Sequence, residues 1–310
     1  MENNTESNST YFMIMVYTEL GPLKIICLTG YSLAAITHAL GLLLVYKAKS
    51  EVPNQRIIIM NLALSEMLLC IWIVASYIIP LSMDLFSISD AIFYVECFFQ
   101  LFLYSNVRFV IMHIIIDRFL YIRLNIKYSV YMNTRNLAKI IIAYWFCSII
   151  IGMVFTLLLR YRLFDVRNFT SAYAQIILTL DVLVVSLAIM TYIYLFWKVK
   201  KIGRPPSLKP EKVTVLFVWL KLKTPALITV TFIMFNFSAT VIHIMSIRMH
   251  ESALVSTLNT AAHFLDILGW LSDAVLYIFL QKQVRDLLLS MFKKSSELEV
   301  PLEMNELCMD

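Results

Sequence analysis

The chain has 310 residues, of which 60% are hydrophobic and only 15% charged, with a mean hydropathy of +0.77. A soluble domain carries about a quarter charged residues, so this much apolar surface excludes an ordinary water-soluble fold and requires lipid to cover it. The net charge of +5 bears on orientation in a bilayer; nucleic acid is not an expected partner.

The N-terminal residues lack a basic region ahead of an apolar one, so no cleaved signal peptide is expected and the first span serves for insertion. A spanning helix needs about 20 mostly apolar residues. The chain offers seven: Leu23–Tyr46, Ile57–Ile79, Ala91–Phe119, Ala138–Leu159, Tyr173–Trp197, Pro225–Ile247 and Ala253–Leu280. The run Val213–Trp219, flanked by Lys212 and Lys221, is too short to span and reads as an inner extension of the sixth helix. The expected fold is therefore an all-α membrane protein, a seven-transmembrane helix bundle. It divides into a tail at 1–22, a bundle at 23–280 and an inner segment at 281–310.

The first, third and fifth connections together with the C-terminal segment hold 20 of the 26 Lys and Arg residues. The positive-inside rule places these in the cytoplasm and the N-terminus outside. Sequons at Asn3, Asn8 and Asn168 fall on the outer side, as glycosylation acceptors must; Asn236-Phe-Ser238 lies inside a span and is a chance match. The five cysteines, Cys27, Cys70, Cys97, Cys147 and Cys308, have no metal-ligand spacing and read as isolated thiols. No nucleophile–base spacing or metal cluster points to an enzyme, and no cofactor is implied.

Several motifs sit within these spans. The third ends in Asp117-Arg118-Phe119, followed by Ile126 and Tyr128. The second contains Asn61-Leu-Ala-Leu-Ser-Glu66, the fourth Trp145, and the seventh ends in Asp273-Ala-Val-Leu-Tyr277. After it, Phe279–Phe292 alternates apolar and basic positions like a helix lying on a membrane surface. In type and spacing this set resembles the rhodopsin-like G-protein-coupled receptors, over residues from about 23 to 293, and the last segment resembles their short amphipathic eighth helix. The resemblance implies a plasma-membrane receptor that couples an extracellular ligand, a peptide, lipid or small molecule, to a heterotrimeric G protein. It implies a resting Asp117–Arg118 pair, Ile126 and Tyr128 packing toward the G protein, and Tyr277 with Tyr192 or Tyr194 steadying the active state.

Departures from the family pattern are as informative. His38 stands in place of the first-helix asparagine, Glu66 replaces aspartate, and Ala274 replaces the seventh-helix proline. The sixth span lacks Cys-Trp-x-Pro, with Phe237 as the substitute for its tryptophan. Phe93 stands where the family's outer disulfide cysteine belongs, so that disulfide is expected to be absent. No acidic partner for Lys221 or Lys223 is visible at the inner end of the sixth helix, which implies a weak inner lock.

The spans also hold Glu66, Arg108, Asp181, Asp266 and Asp273 with His38 and His263. Each charge at the bilayer centre costs about 2.5–3.5 kcal/mol and needs a partner or neutralisation. Glu66 and Asp273 correspond to the two acids of the family's sodium site, so either a cation sits between them or one carboxyl is protonated. Arg108 is expected to pair with Glu66, Asp181 or Asp273 and to act as an inactive-state clamp. The ligand pocket falls at Glu96, Gln100, Tyr104, Thr240, His243, His263 and Asp266. Gln100 in place of an aspartate disfavours a biogenic amine, and Ile267 excludes a retinal lysine. Two other functions fit the composition: a seven-helix transporter or channel, and a non-signalling receptor-like partner protein.

Overall fold

The computed structural model describes residues 21–48, 53–82, 90–124, 127–161, 166–202, 226–249, 252–280, 284–287 and 289–290. All of the regular structure among them is helical. Helix α1 is Gly21–Lys47, α2 Pro53–Ser82, α3 Asp90–Leu124, α4 the single turn Tyr128–Tyr131, α5 Thr134–Arg160, and α6 Val166–Ile202. Helix α7 is Ala226–Arg248, with a π-helical segment at Phe232–Phe237, and α8 is Ser252–Leu280. Six of these, α1, α2, α3, α5, α6 and α7, are long and apolar enough to cross a membrane. Helix α8 has the length, at 29 residues, but Asn259, His263, Asp266 and Asp273 dilute its hydropathy.

Helices α2, α3, α5 and α6 extend one to two turns beyond the apolar runs that mark them in the sequence, whereas α1, α7 and α8 match theirs to within two residues. Local chemistry accounts for two of the starts. Pro53 opens α2, where its missing N–H would have had no partner anyway. Asn133 caps α5, its side-chain oxygen accepting the Asn136 N–H at 2.9 Å. The lengthening of α6 to Val166 puts Asn168 on a helical first turn, not in the outer loop that the sequon suggests.

Helix α1 packs on α2, α2 on α3, α3 on α6, α6 on α7, α7 on α8, and α8 returns to α1. The bundle is thus a closed ring of six helices, with α3 the most buried of the candidate spans and α5 resting on the outside of α3. The distribution of side chains is inverted relative to a soluble protein. Ile36, Leu43, Ile142, Phe146, Met190, Ile193 and Phe196 are all more than half exposed. His38, Glu66, Arg108, His113, Asp117, Arg118, Asp181 and Asp273 are all buried. Apolar surface outside and ionisable groups inside suit a lipid solvent and no other, so the chain is a multi-pass membrane protein.

Small residues let the helices approach where the ring is tightest. A Cβ on Gly30 of α1 would lie 2.8 Å from Ile267 of α8, and one on Gly152 of α5 would lie 3.0 Å from the Phe98 carbonyl of α3. Beyond α8, Val284 is buried against the core while Arg285 and Asp286 face outward.

Candidate functional site

The buried polar groups form three layers along α3. The innermost is built on Asp117 and Arg118. Arg118 Nη2 donates to Asp117 Oδ2 at 2.5 Å, and the Tyr128 hydroxyl donates to Asp117 Oδ1. Burial, with the Asp117 charge beside it, pushes the Tyr128 phenol above its ordinary pKa, so it stays a donor. Asn54 of α2 donates to the Met132 carbonyl, which ties α4 to the bundle. Lys198 of α6 reaches the Ile122 carbonyl at 2.6 Å. The cavity beside Asp117 and Arg118, lined by Gln55, Ile58, Ile59, Ile114 and Ile228, has a volume of only about 10 Å³. Ile126 lies outside the described residues, as do Val213–Trp219, Lys221 and Lys223 and the side chain of Tyr277.

Of the two fifth-span tyrosines, Tyr192 faces the Thr229 hydroxyl of α7 at 3.4 Å. Tyr194 instead packs on Phe119, with ring centroids 5.1 Å apart.

The middle layer joins α1, α2, α3, α5, α7 and α8. Trp145 Nε1 donates to Asn61 Oδ1 at 2.9 Å, and Asn106 donates to the Ser65 hydroxyl at 2.8 Å. His38 Nδ1 lies 3.4 Å from Glu66 Oε2, and the Trp270 backbone lies beside the ring. Asp273 accepts from the Thr231 hydroxyl at 2.7 Å and lies within hydrogen-bond reach of Glu66. Two carboxyls that close cannot both carry a charge unless a cation stands between them; otherwise they share a proton. Among the described residues no group of three or more His, Cys, Asp or Glu is arranged to hold a metal ion. A shared proton leads to a testable asymmetry. Asp273→Asn keeps the shape and a donor toward Glu66, so the midpoint of thermal unfolding is expected to stay or rise. Asp273→Leu leaves Thr231 only its backbone acceptors and takes the partner of Glu66 away, and is expected to lower stability by about 1–3 kcal/mol. Unfolding of the purified chain in detergent separates the two cases, and equal losses would exclude the shared proton.

The third layer resolves the question of Arg108. Of the three acids open to it, it takes Asp181, through Nε to Oδ1 at 2.9 Å. The other oxygen of Asp181 accepts the Thr240 hydroxyl at 2.7 Å. Tyr104 and Phe232 place their rings 4.9 and 5.8 Å from the guanidinium carbon. The bridge therefore couples α3, α6 and α7 through two charges that are both buried. Thr240, one of the pocket residues expected from the sequence, belongs to this bridge.

Helix α7 reaches both layers through its π-helical segment. Thr231 below it meets α8, and Thr240 above it meets α6. A π turn inserts one extra residue and so resets which face the helix presents. It ends at Phe237, two residues before Ala239, where the family pattern has its proline. Asn236, at its end, is fully buried, and its carboxamide presses on Gly269 of α8, where a Cβ would collide with it.

The remaining pocket candidates divide into groups. His243 hydrogen-bonds Asn259 and lies near His263, and Ser246 donates to Asn259 at 2.6 Å, so these four hold α7 to α8. Glu96 lies near Tyr77 and Cys97. Gln100 is partly exposed, with no hydrogen bond among the described residues. Asp266 and Tyr104 lie close together in the bundle interior. Sequence reasoning missed Thr231, Asn106, Tyr31, Tyr77 and Tyr173, none of which belongs to a motif. Cys27, Cys70 and Cys97 are buried free thiols and Cys147 is exposed on α5. Asn3 and Asn8 lie outside the described residues, as does the side chain of Asn168.

No protein-family model matches the chain, and no curated protein matches it.

Proposed function

We propose that the chain is a rhodopsin-like G-protein-coupled receptor of the plasma membrane. In this reading α1, α2, α3, α5, α6, α7 and α8 are seven crossings, with the N-terminus outside and glycosylated. Residues 284–287, 289 and 290 belong to an amphipathic helix on the inner membrane surface. An extracellular ligand enters between the outer halves of the helices, and a heterotrimeric G protein docks at the inner end.

The observation that carries the reading is the Asp117–Arg118–Tyr128 cluster. Arg118 is held by its neighbour and is 5% exposed, beside a cavity too small for any partner. An arginine that merely snorkelled to the inner surface would extend into water. This one is folded back and withheld, which is what a resting coupling residue does. Opening the inner end requires α7 to move away from Ile114 and Arg118, and the G protein stabilises the open state by binding it alone.

A ligand-independent recruitment screen across G-protein subtypes, comparing wild type with Arg118→Ala at matched surface expression, tests this. Recruitment above mock-transfected cells that Arg118→Ala reduces at least about tenfold, or 1.4 kcal/mol, is expected. Identical signals from the two, in every subtype, would sink the reading.

A further inference from the structure

Helices α1 and α8 close the ring, and they approach closely where a Cβ on Gly30 would lie 2.8 Å from Ile267. One turn toward both N-termini they leave a cleft of about 480 Å³, within the roughly 300–1,000 Å³ of small-molecule sites. Ile267 forms its floor, and Ile26, Cys27 and Phe264 form its apolar walls. Ile26 and Phe264 are 52% and 55% exposed on a bundle whose outer surface is apolar. The cleft therefore opens sideways, toward acyl chains.

The polar lining is confined to one stripe. Ser256, Thr260 and His263 follow one another at helical spacing along α8, with Thr257 beside them, and all precede Phe264 and Ile267. The cleft is thus polar toward the end of the bundle and apolar toward its floor, as an amphiphile is. Among the described residues no Lys, Arg, Asp or Glu lines it, so it offers no counter-charge to an ammonium or a carboxylate head. It offers hydrogen bonds instead. The Thr260 hydroxyl donates to the Ser256 carbonyl at 2.9 Å, which uses its proton and leaves its oxygen able to accept. His263, one of the pocket residues expected from the sequence, is half-buried and makes no hydrogen bond among the described residues. A neutral imidazole carries one donor and one acceptor. Residues three apart share a helix face, so an accepting oxygen and an unused imidazole stand together on the cleft wall. A hydroxyl, which donates once and accepts twice, serves both.

We infer that the cleft between α1 and α8 is a site for an uncharged, hydroxyl-bearing lipid of the monoacylglycerol type, which enters from the membrane. Its head hydroxyls accept from His263 and donate to Thr260, and its chain lies against Ile26, Phe264 and Ile267. The inference names the ligand chemistry of the proposed receptor. It rests on that reading for the signalling consequence and not for the binding.

The test uses the full chain in lipid nanodiscs with a diazirine-tagged monoacylglycerol as photolabel. Saturable labelling is expected on α1 around Ile26 and on α8 around Phe264. Untagged monodecanoylglycerol should compete at a bilayer mole fraction at least about tenfold lower than decane, decanoate or decyltrimethylammonium, a difference of 1.4 kcal/mol. His263→Phe should raise the mole fraction needed by a similar factor, and His263→Gln, which keeps a donor and an acceptor, should recover most of the loss. Thr260→Val should shift it in the same direction as His263→Phe and serves as the second reading. Thermal unfolding shows which variants fold. Labelling that does not saturate, equal competition by decane or by either charged probe, or indifference to both His263→Phe and Thr260→Val would overturn the site. G-protein recruitment is scored in parallel. Recruitment without saturable labelling rejects the site and leaves the receptor, whereas saturable labelling without recruitment does the reverse.

Discussion

Replacing Asp181 with leucine is expected to cost roughly 3–5 kcal/mol and to leave little folded chain in mild detergent. The carboxylate is fully buried, with Arg108 on one oxygen and Thr240 on the other. Without it, a guanidinium that cannot give up its proton is left with the faces of Tyr104 and Phe232. Those contacts supply about 2 kcal/mol when desolvated, which is too little to replace a buried counter-ion. Arg108→Met is expected to be milder, since an orphaned carboxyl takes up a proton and keeps its bond to Thr240. The double variant removes both charges and should recover much of the loss. Thermal unfolding of the three purified chains checks that order, and strict additivity would contradict the pairing. Arg108→Met also releases α3 from α6 and α7, so basal G-protein recruitment is expected to change. Unchanged recruitment at normal surface expression would show that the bridge is structural and not a clamp.

The second large effect is expected at Gly152. The inward face of α5 runs through Ser148, Gly152, Phe155 and Leu159, and Gly152 is the point of closest approach to α3. A Cβ there would meet the Phe98 carbonyl at 3.0 Å and Phe102 Cβ at 3.1 Å. Backbone oxygen cannot swing aside as a side chain can, so the helices must separate. Gly152→Ala is expected to cost about 1–3 kcal/mol by overpacking, and Gly152→Leu more. The separation also breaks the Trp145–Asn61 hydrogen bond of 2.9 Å and the Phe102–Trp145 ring contact at 5.7 Å. Surface expression and unfolding temperature should fall in the order glycine, alanine, leucine. A leucine variant as stable as wild type would show that α5 is not seated on α3 in this way.

The helices were legible because lipid demands long apolar runs, and only their ends moved. That Arg108 required a buried partner was also legible, from the cost of its charge. Which acid it took was not, because Asp181 is 73 residues away and only packing aligns α3 with α6. The sequence shows that α7 lacks a proline; it does not show the π turn just before that position, since Phe232–Phe237 carries no residue that requires one. Tyr104 was marked as a pocket residue, whereas Tyr31, Tyr77 and Tyr173 were not, because each is ordinary in an apolar helix. Tyr128 was marked for its place in a motif, and its bond to Asp117 became visible only once α4 was placed beneath α3.

The return of α8 to α1 bears on how the chain is made. Helices enter the membrane in order, so α1 waits through the synthesis of every other helix before its last neighbour arrives. Until then Gly30 has no Ile267 to pack on, and His38 lacks the Trp270 backbone beside its ring. The early bundle is an open crescent with polar groups along its inner edge, and the final long helix seals it. Assembly is therefore complete only when the ends of the bundle meet, and a chain stalled before α8 displays to the cell's quality control the polar seam that the finished protein hides.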